Sequence, residues 1–174
     1  MIKQTMSLMF LAVLAILTVG CCGKEPRKYN VTVSLDDEMR QSLGTRKLEV
    51  HLVGINEKEN QRWENYSMTK YWQPGDNLPN SVPTYKMIFD PNHSAPQTLS
   101  KNDKIWDTWL KDGANRLYVL TLLPGMVSDA DGDKDPRRQI EPLACYRWLK
   151  HDGNIEIKIQ KTGITTVSQL RSEH

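Results

Sequence analysis

Apolar and polar side chains alternate along much of the chain after residue 30, and a period of two marks strands with one buried face. Val31-Thr-Val-Ser-Leu35 alternates and is rich in β-branched residues, which predicts a strand. Arg46 to Val53 sets Leu48, Val50 and Leu52 on one face and Lys47, Glu49 and His51 on the other. That predicts a half-buried strand whose histidine faces water. Tyr85–Phe89, the strongly apolar Arg116–Leu123 and the alternating Asn154–Gln160 predict three more, with Gly163–Val167 continuing or closing the last. Arg138–Leu143 reads as a strand that Pro142 confines to a sheet edge or a strand end. Asp36–Gly44 reads as a polar turn region.

Two stretches change period. Between Asn60 and Trp72, the residues Trp63, Tyr66, Lys70 and Tyr71 fall at helical spacing, and Pro74-Gly75-Asp76 ends the run ahead of a loop to Pro83. Ser100 reads as a helix N-cap with Asp103 in the first turn. Ile105, Trp106, Trp109 and Leu110 then share one face, and Gly113 stands at the C-terminal cap. Six or seven short strands, one or two short helices and no strand–helix–strand alternation predict a mainly β protein, a β-sandwich with helices in its connections.

Before residue 30 the pattern is of another kind. Lys3 is the one charge ahead of a weakly polar-to-apolar run from Met6 to Val19. That run falls short of the roughly 20 residues that cross a bilayer. A basic start, a short apolar stretch and small residues at its end describe an export signal over residues 1–20. The run closes on Leu17-Thr18-Val19-Gly20-Cys21, which resembles the bacterial lipobox. The resemblance implies a diacylglycerol on the Cys21 thiol, cleavage before that residue and acylation of the new N-terminus. Thr18 stands where the lipobox usually has Leu, and Cys22 follows directly. The alternatives are an ordinary signal cut near Gly23 and an uncleaved anchor. Residues 21–30 then form the lipidated N-terminus and a polar tether, and 31–174 a single domain.

Charge and chemistry narrow the picture. With 23 basic and 21 acidic residues the net charge is +2, so nothing points to nucleic acid. Cys145 is the only thiol in the body of the domain and reads as buried and inert, with a Cys22–Cys145 bridge as the alternative. Asp129, Asp131, Asp133 and Asp135 alternate around Gly132, a spacing that could wrap calcium with oxygen ligands. Gly132 follows the second acid rather than the third and no closing glutamate is present, so a solvated acidic loop is the plainer reading. His51, His93 and His151 lack metal spacing and read as surface residues. There is no nucleophile elbow, phosphate loop or dinucleotide fingerprint, so no enzyme is expected. Trp63, Tyr66, Tyr71 and Trp72 form an aromatic group. Packing onto the sheet accounts for Trp63 and Tyr71, whereas Trp72 and the loop after it are open to a sugar or a partner protein.

Taken with the lipobox, the order of elements resembles the type VI secretion outer-membrane lipoproteins, the TssJ family. The features that carry the likeness are the strand Leu48–Val53 followed by an aromatic helical segment, the apolar strand Leu117–Leu123, the arginine-bearing Arg137–Leu143 and the closing Ile155–Ile159. The resemblance implies a transthyretin-like β-sandwich with an added helical element and no catalytic site. It also implies a partner, the periplasmic domain of an inner-membrane component. The partner-binding loop would lie within Asn56–Pro83, centred on Trp72, Gln73, Pro74, Gly75 and Asp76. Cys22, where an Asp would retain a lipoprotein in the inner membrane, implies the periplasmic face of the outer membrane. A lipid-anchored carbohydrate- or small-ligand-binding module using exposed aromatics is the alternative function.

Overall fold

A computed structural model of the chain describes residues 23–125, 128–130, 132–150 and 152–172. The export signal, Cys21, Cys22, Asp131 and His151 lie outside the described residues. Among the described residues, no helix is long and apolar enough to cross a membrane.

Two four-stranded sheets face each other. One has the strand order β4-β1-β7-β8, built from Gln97–Leu99 (β4), Asn30–Leu35 (β1), Asn154–Gln160 (β7) and Gly163–Thr166 (β8). The other has the order β3-β2-β5-β6, from Thr84–Phe89 (β3), Leu48–Asn56 (β2), Ala114–Thr121 (β5) and Arg138–Pro142 (β6). Every pairing is antiparallel except β1 with β7. The sandwich read from the alternation is therefore the fold. Pro142 closes β6 at a sheet edge, where a residue without an N–H breaks no ladder.

The first sheet buries one face. Val31, Val33 and Leu35 of β1 and Ile155, Ile157 and Ile159 of β7 point inward, while the residues between them meet solvent or are half-buried. The second sheet is buried on both faces along β2 and β5. Leu48, Val50 and Leu52 join the core between the sheets, and Val53 and Ile55 join a second cluster on the outer side. β5 divides likewise, with Leu117 and Val119 inward and Tyr118 and Leu120 outward.

The helices depart from the sequence reading in three places. Asp37–Leu43 is a helix (α1) rather than a turn region. Asp36 caps it, accepting from the Met39 N–H at 2.6 Å, and Met39 and Leu43 are buried one turn apart. The predicted helix over 60–72 is two helices, Glu57–Glu64 (α2) and Met68–Tyr71 (α3). Asn56 caps the first and Ser67 the second, and a Ser at the cap position starts a new helix rather than continuing an old one. The fourth helix, α4, spans Ile105–Lys111 and so starts later than the Ser100 cap predicts. The Asp103 carboxylate accepts from the Ile105 N–H at 2.9 Å, and Gly113 (φ 80°) follows the helix end as expected. β4, a three-residue strand, carries too little pattern to be read from sequence.

Two buried features carry consequences. Gly54 faces the α4 indole of Trp109, whose Nε1–H donates to the Pro83 carbonyl at 2.8 Å. A Cβ at Gly54 would stand 2.5 Å from that ring. Gly54→Ala should therefore lower stability by about 2–3 kcal/mol through overpacking, read as a shift in the denaturation midpoint at constant slope. Glu141 of β6 is fully buried at the edge where β6 meets β8, accepting from the Thr166 hydroxyl. Burial pushes its carboxyl up to about 7, against the hydrogen bonds from Thr166 and Gln139. A value raised on folding contributes stability that is complete below the ordinary 4.5 and lost as pH rises through about 7. Relative to Glu141→Gln, the wild type should lose stability between pH 5 and pH 8, by an amount on the order of 3 kcal/mol. Calorimetry of both proteins across that range measures the difference.

Candidate functional site

The outer face of β2 and β5 is apolar and must be covered, and the segment between β2 and β3 covers it. Trp63 of α2 and Met68 and Tyr71 of α3 are buried against Val53, Ile55, Tyr118 and Leu120, together with Leu78. The Trp63 ring stands 6.1 Å from that of Tyr71 and 6.0 Å from that of Tyr118 in edge-to-face arrangements. The Tyr118 hydroxyl donates to the Asn60 side chain at 2.8 Å, which fixes α2 along the sheet.

Beneath α3 lies His51, which is 3% exposed. This corrects the expectation of a surface histidine: alternation placed it on the outward face, but that face is roofed. His51 Nδ1 and the Tyr71 hydroxyl are 2.7 Å apart, and Nε2 lies 2.6 Å from Glu49, which Lys86 also contacts at 3.0 Å. Burial depresses the His51 pKa, and the Glu49 carboxylate only partly offsets this. His93, by contrast, lies exposed in the β3–β4 connection with its ring 3.1 Å from Asp90.

The acidic loop also differs from its sequence reading. Asp129 and Asp135 converge on the buried guanidinium of Arg137, which is 1% exposed. Arg137 holds Asp135 through Nε at 2.9 Å and Nη2 at 2.6 Å, bonds Asp129 through the same Nη2, and donates from Nη1 to Thr69 at 3.2 Å. Asp129 further accepts from the Thr69 N–H at 2.7 Å and from the Ser67 hydroxyl. Burial would raise both carboxyls, but these hydrogen bonds and the guanidinium outweigh it and hold both below the ordinary range. Two of the four acids read as calcium ligands thus already face a cation of the protein's own. Their purpose in the structure is to bind the 128–137 loop to the start of α3. Among the described residues no group of three His, Cys, Asp or Glu side chains is placed to hold a metal. Arg138 adds a third tie, from Nη2 to the Tyr66 carbonyl.

This frame presents the loop expected to bind a partner. The Trp72 indole is half-buried, with its ring centroid 4.6 Å from that of His51. It packs onto the domain and does not stand free as a stacking platform for a sugar. Gln73, Pro74 and Gly75 are exposed. They form a tight turn in which the Asp76 N–H donates to the Gln73 carbonyl at 3.2 Å and Gly75 takes a φ of 86°, a backbone conformation that Pro-Gly suits. Asp76 closes it, accepting from the Tyr66 hydroxyl at 2.6 Å and the Leu78 N–H at 2.9 Å. The five residues are therefore contiguous, but they divide into a half-buried base, Trp72 and Asp76, and an exposed tip.

Sequence reasoning missed Arg137 and His51 as the polar centres of this region. Arg137 meets Thr69, and its partner Asp129 meets Ser67, across more than sixty residues of chain, through contacts no local pattern encodes. Cys145 is buried, as expected, and is disulfide-bonded rather than an inert thiol.

No protein-family model matches the sequence, and no curated protein matches it. Solved structures do. The chain aligns with a type VI membrane complex at 12% identity and a TM-score of 0.54, covering 82% of this chain and 99% of that one. It aligns with a structure described as the T6SS protein TssM C-terminal domain from EAEC at 11% identity and a TM-score of 0.51, covering 80% and 99%. Serratia marcescens Lip, a membrane-bound component of the type VI secretion system, aligns at 10% identity and a TM-score of 0.50, covering 82% and 98%. The chain thus has a mainly β, two-sheet fold shared with type VI secretion envelope structures. At these identities the likeness is one of fold.

Arg137→Ala should strand Asp135 in a site with no solvent exposure and cost about 3–5 kcal/mol, with amide exchange rising first in residues 67–70 and 128–135. In the wild type, millimolar calcium should leave the melting temperature unchanged relative to EDTA, because Asp129 and Asp135 are already neutralised.

Proposed function

We propose that this protein is a lipid-anchored, non-catalytic docking component of a type VI secretion envelope assembly. It would be held at the periplasmic face of the outer membrane through Cys21, and would bind the periplasmic domain of an inner-membrane partner. The observation that carries the reading is the fixed presentation of the Gln73-Pro74-Gly75 tip. Two buried polar centres, one apolar cluster and the Asp76 bonds hold that tip in a single shape. A pre-shaped loop loses little conformational freedom on binding, which is what a docking element needs. The fold shared with Serratia marcescens Lip and the lipobox-like Leu17–Cys21 support the same reading.

Gln73→Arg and Pro74→Arg change exposed side chains and should leave the melting temperature within about a degree of wild type. Both should weaken capture of the periplasmic domain of the TssM-like protein from the same bacterium by at least tenfold in a pull-down or by calorimetry. Undiminished capture by both variants would place the docking surface elsewhere.

A further inference from the structure

The Gln73-Pro74-Gly75 tip stands on two legs, and one of them rests on a titratable side chain. Asp76 holds the trailing leg, accepting from the Tyr66 hydroxyl at 2.6 Å and the Leu78 N–H at 2.9 Å. The leading leg is Tyr71 and Trp72, and both rest on His51. The Tyr71 hydroxyl lies 2.7 Å from Nδ1, and the Trp72 ring packs over the imidazole with centroids 4.6 Å apart. His51 and Tyr71 are both buried. A group placed beneath the leg can act on the tip without touching a partner.

The distances decide where the imidazole protons lie. Burial alone would raise the Glu49 carboxyl, but the bonds from His51 and Lys86 outweigh it and keep the group ionised. Nε2 of His51 is 2.6 Å from Oε1 of Glu49. Two acceptors do not stand that close without a proton between them, so Nε2 carries one and donates it. Nδ1 of the neutral ring is then bare and accepts from the Tyr71 hydroxyl. A proton on Nδ1 would set two donors face to face at 2.7 Å. To accept from Nδ1–H, the hydroxyl would have to turn its own proton away, and it has no second partner among the described residues. Leaving a buried donor unbonded costs more than one bond returns.

The surroundings do not relieve this conflict. In register with His51 stand Lys86 of β3, a like charge to an imidazolium, and Leu120 of β5, which has no charge. Glu49 of β2 is already bonded through Nε2. From the cover, Tyr71 and Trp72 bring no charge, Lys70 lies over the Tyr66 ring, and Asp76 is engaged by Tyr66 and Leu78. Burial holds the His51 pKa below the ordinary 6.5, with Glu49 opposing it. A value depressed on folding contributes stability that is present above 6.5 and lost as pH falls below it.

We infer that His51 is a positioning residue for the docking tip and works only unprotonated: a proton on Nδ1 breaks the Tyr71 bond, frees the leading leg and releases the tip from its docking shape. The inference rests on the docking reading and adds to it a regulation by pH. Glu141 responds in the opposite sense, gaining stability in acid, so a global melting temperature mixes the two and the test must be local.

The test follows the full-length protein from pH 7.5 to pH 4.5. Nitrogen NMR reads proton uptake at Nδ1 of His51. Amide exchange, corrected for its intrinsic pH dependence, reads residues 71–76 against helix α1. Exchange in 71–76 should rise about tenfold with the midpoint of proton uptake, and α1 should not follow. No uptake above pH 4.5, or uptake without that rise, overturns the inference, and both are read on the wild type alone. His51→Gln keeps a donor and an acceptor but does not titrate, so its loop should exchange alike across the range; an equal rise in this variant also overturns the inference. In parallel, capture of the periplasmic domain of the TssM-like protein should weaken about tenfold in acid for the wild type and far less for His51→Gln. Wild-type capture that is undiminished in acid overturns the inference and leaves the docking reading standing. If the wild type captures nothing at pH 7.5, the docking reading fails, and the exchange data still decide whether His51 holds the tip.

Discussion

The double burial of β2 is the constraint on which the rest of the structure depends. A strand with Leu48, Val50 and Leu52 on one face and His51, Val53 and Ile55 on the other has no side to give to water. The inner face is met by the opposing sheet. The outer face needs a separate cover, and the long β2–β3 connection supplies it as two short helices. The helical element is thus required by the apolar outer face of the sheet. Its removal would expose Val53, Ile55, Tyr118 and Leu120 as one patch of the kind that drives aggregation.

Covering a sheet with short helices creates a second problem, since four- and eight-residue helices are marginal alone. Apolar packing and polar bonds solve it jointly. Trp63, Met68 and Tyr71 supply area, while His51 below and Arg137 beside α3 supply direction. Apolar contact tolerates sliding, whereas a guanidinium shared by Asp135, Asp129 and Thr69 permits one register. The acidic loop and the helical cover consequently form one unit, and the exposed turn at Gln73–Gly75 inherits its fixed position from both.

The opposite end of the molecule follows another logic. There the chain entry and the C-terminal segment both bond to the stretch that follows β6, Pro26 bridging Ala144 and Leu149 donating to Gln169. The Gln73 tip belongs to the outer face of one sheet, and the chain entry to the end where β6 runs out at Pro142. Under the proposed function, a protein fixed to a membrane at one place and offering a rigid loop at another would join two structures. The near-neutral charge of the whole chain is consistent with recognition by shape and local chemistry rather than by long-range attraction.

The sequence alone determined the period-two strands, the sandwich class, the edge position of the proline-ended strand and the turn at Pro74-Gly75. Each depends on local rules: alternation, a missing N–H, a glycine that can take positive φ. It also held a signal that was overlooked, since Asp36 followed by acids and then Met39 and Leu43 is a capped amphipathic turn within a polar stretch. Only the tertiary structure decided what faces what. Alternation can say that His51 points away from Val50, but whether that side meets water depends on a helix that packs there from later in the chain. The same holds for Asp129 and Asp135, whose spacing suits an external cation until Arg137 is folded between them. The reading of the N-terminal segment as a flexible tether failed likewise, because a contact such as Tyr29 with Leu143, across more than a hundred residues, leaves no period in a sequence.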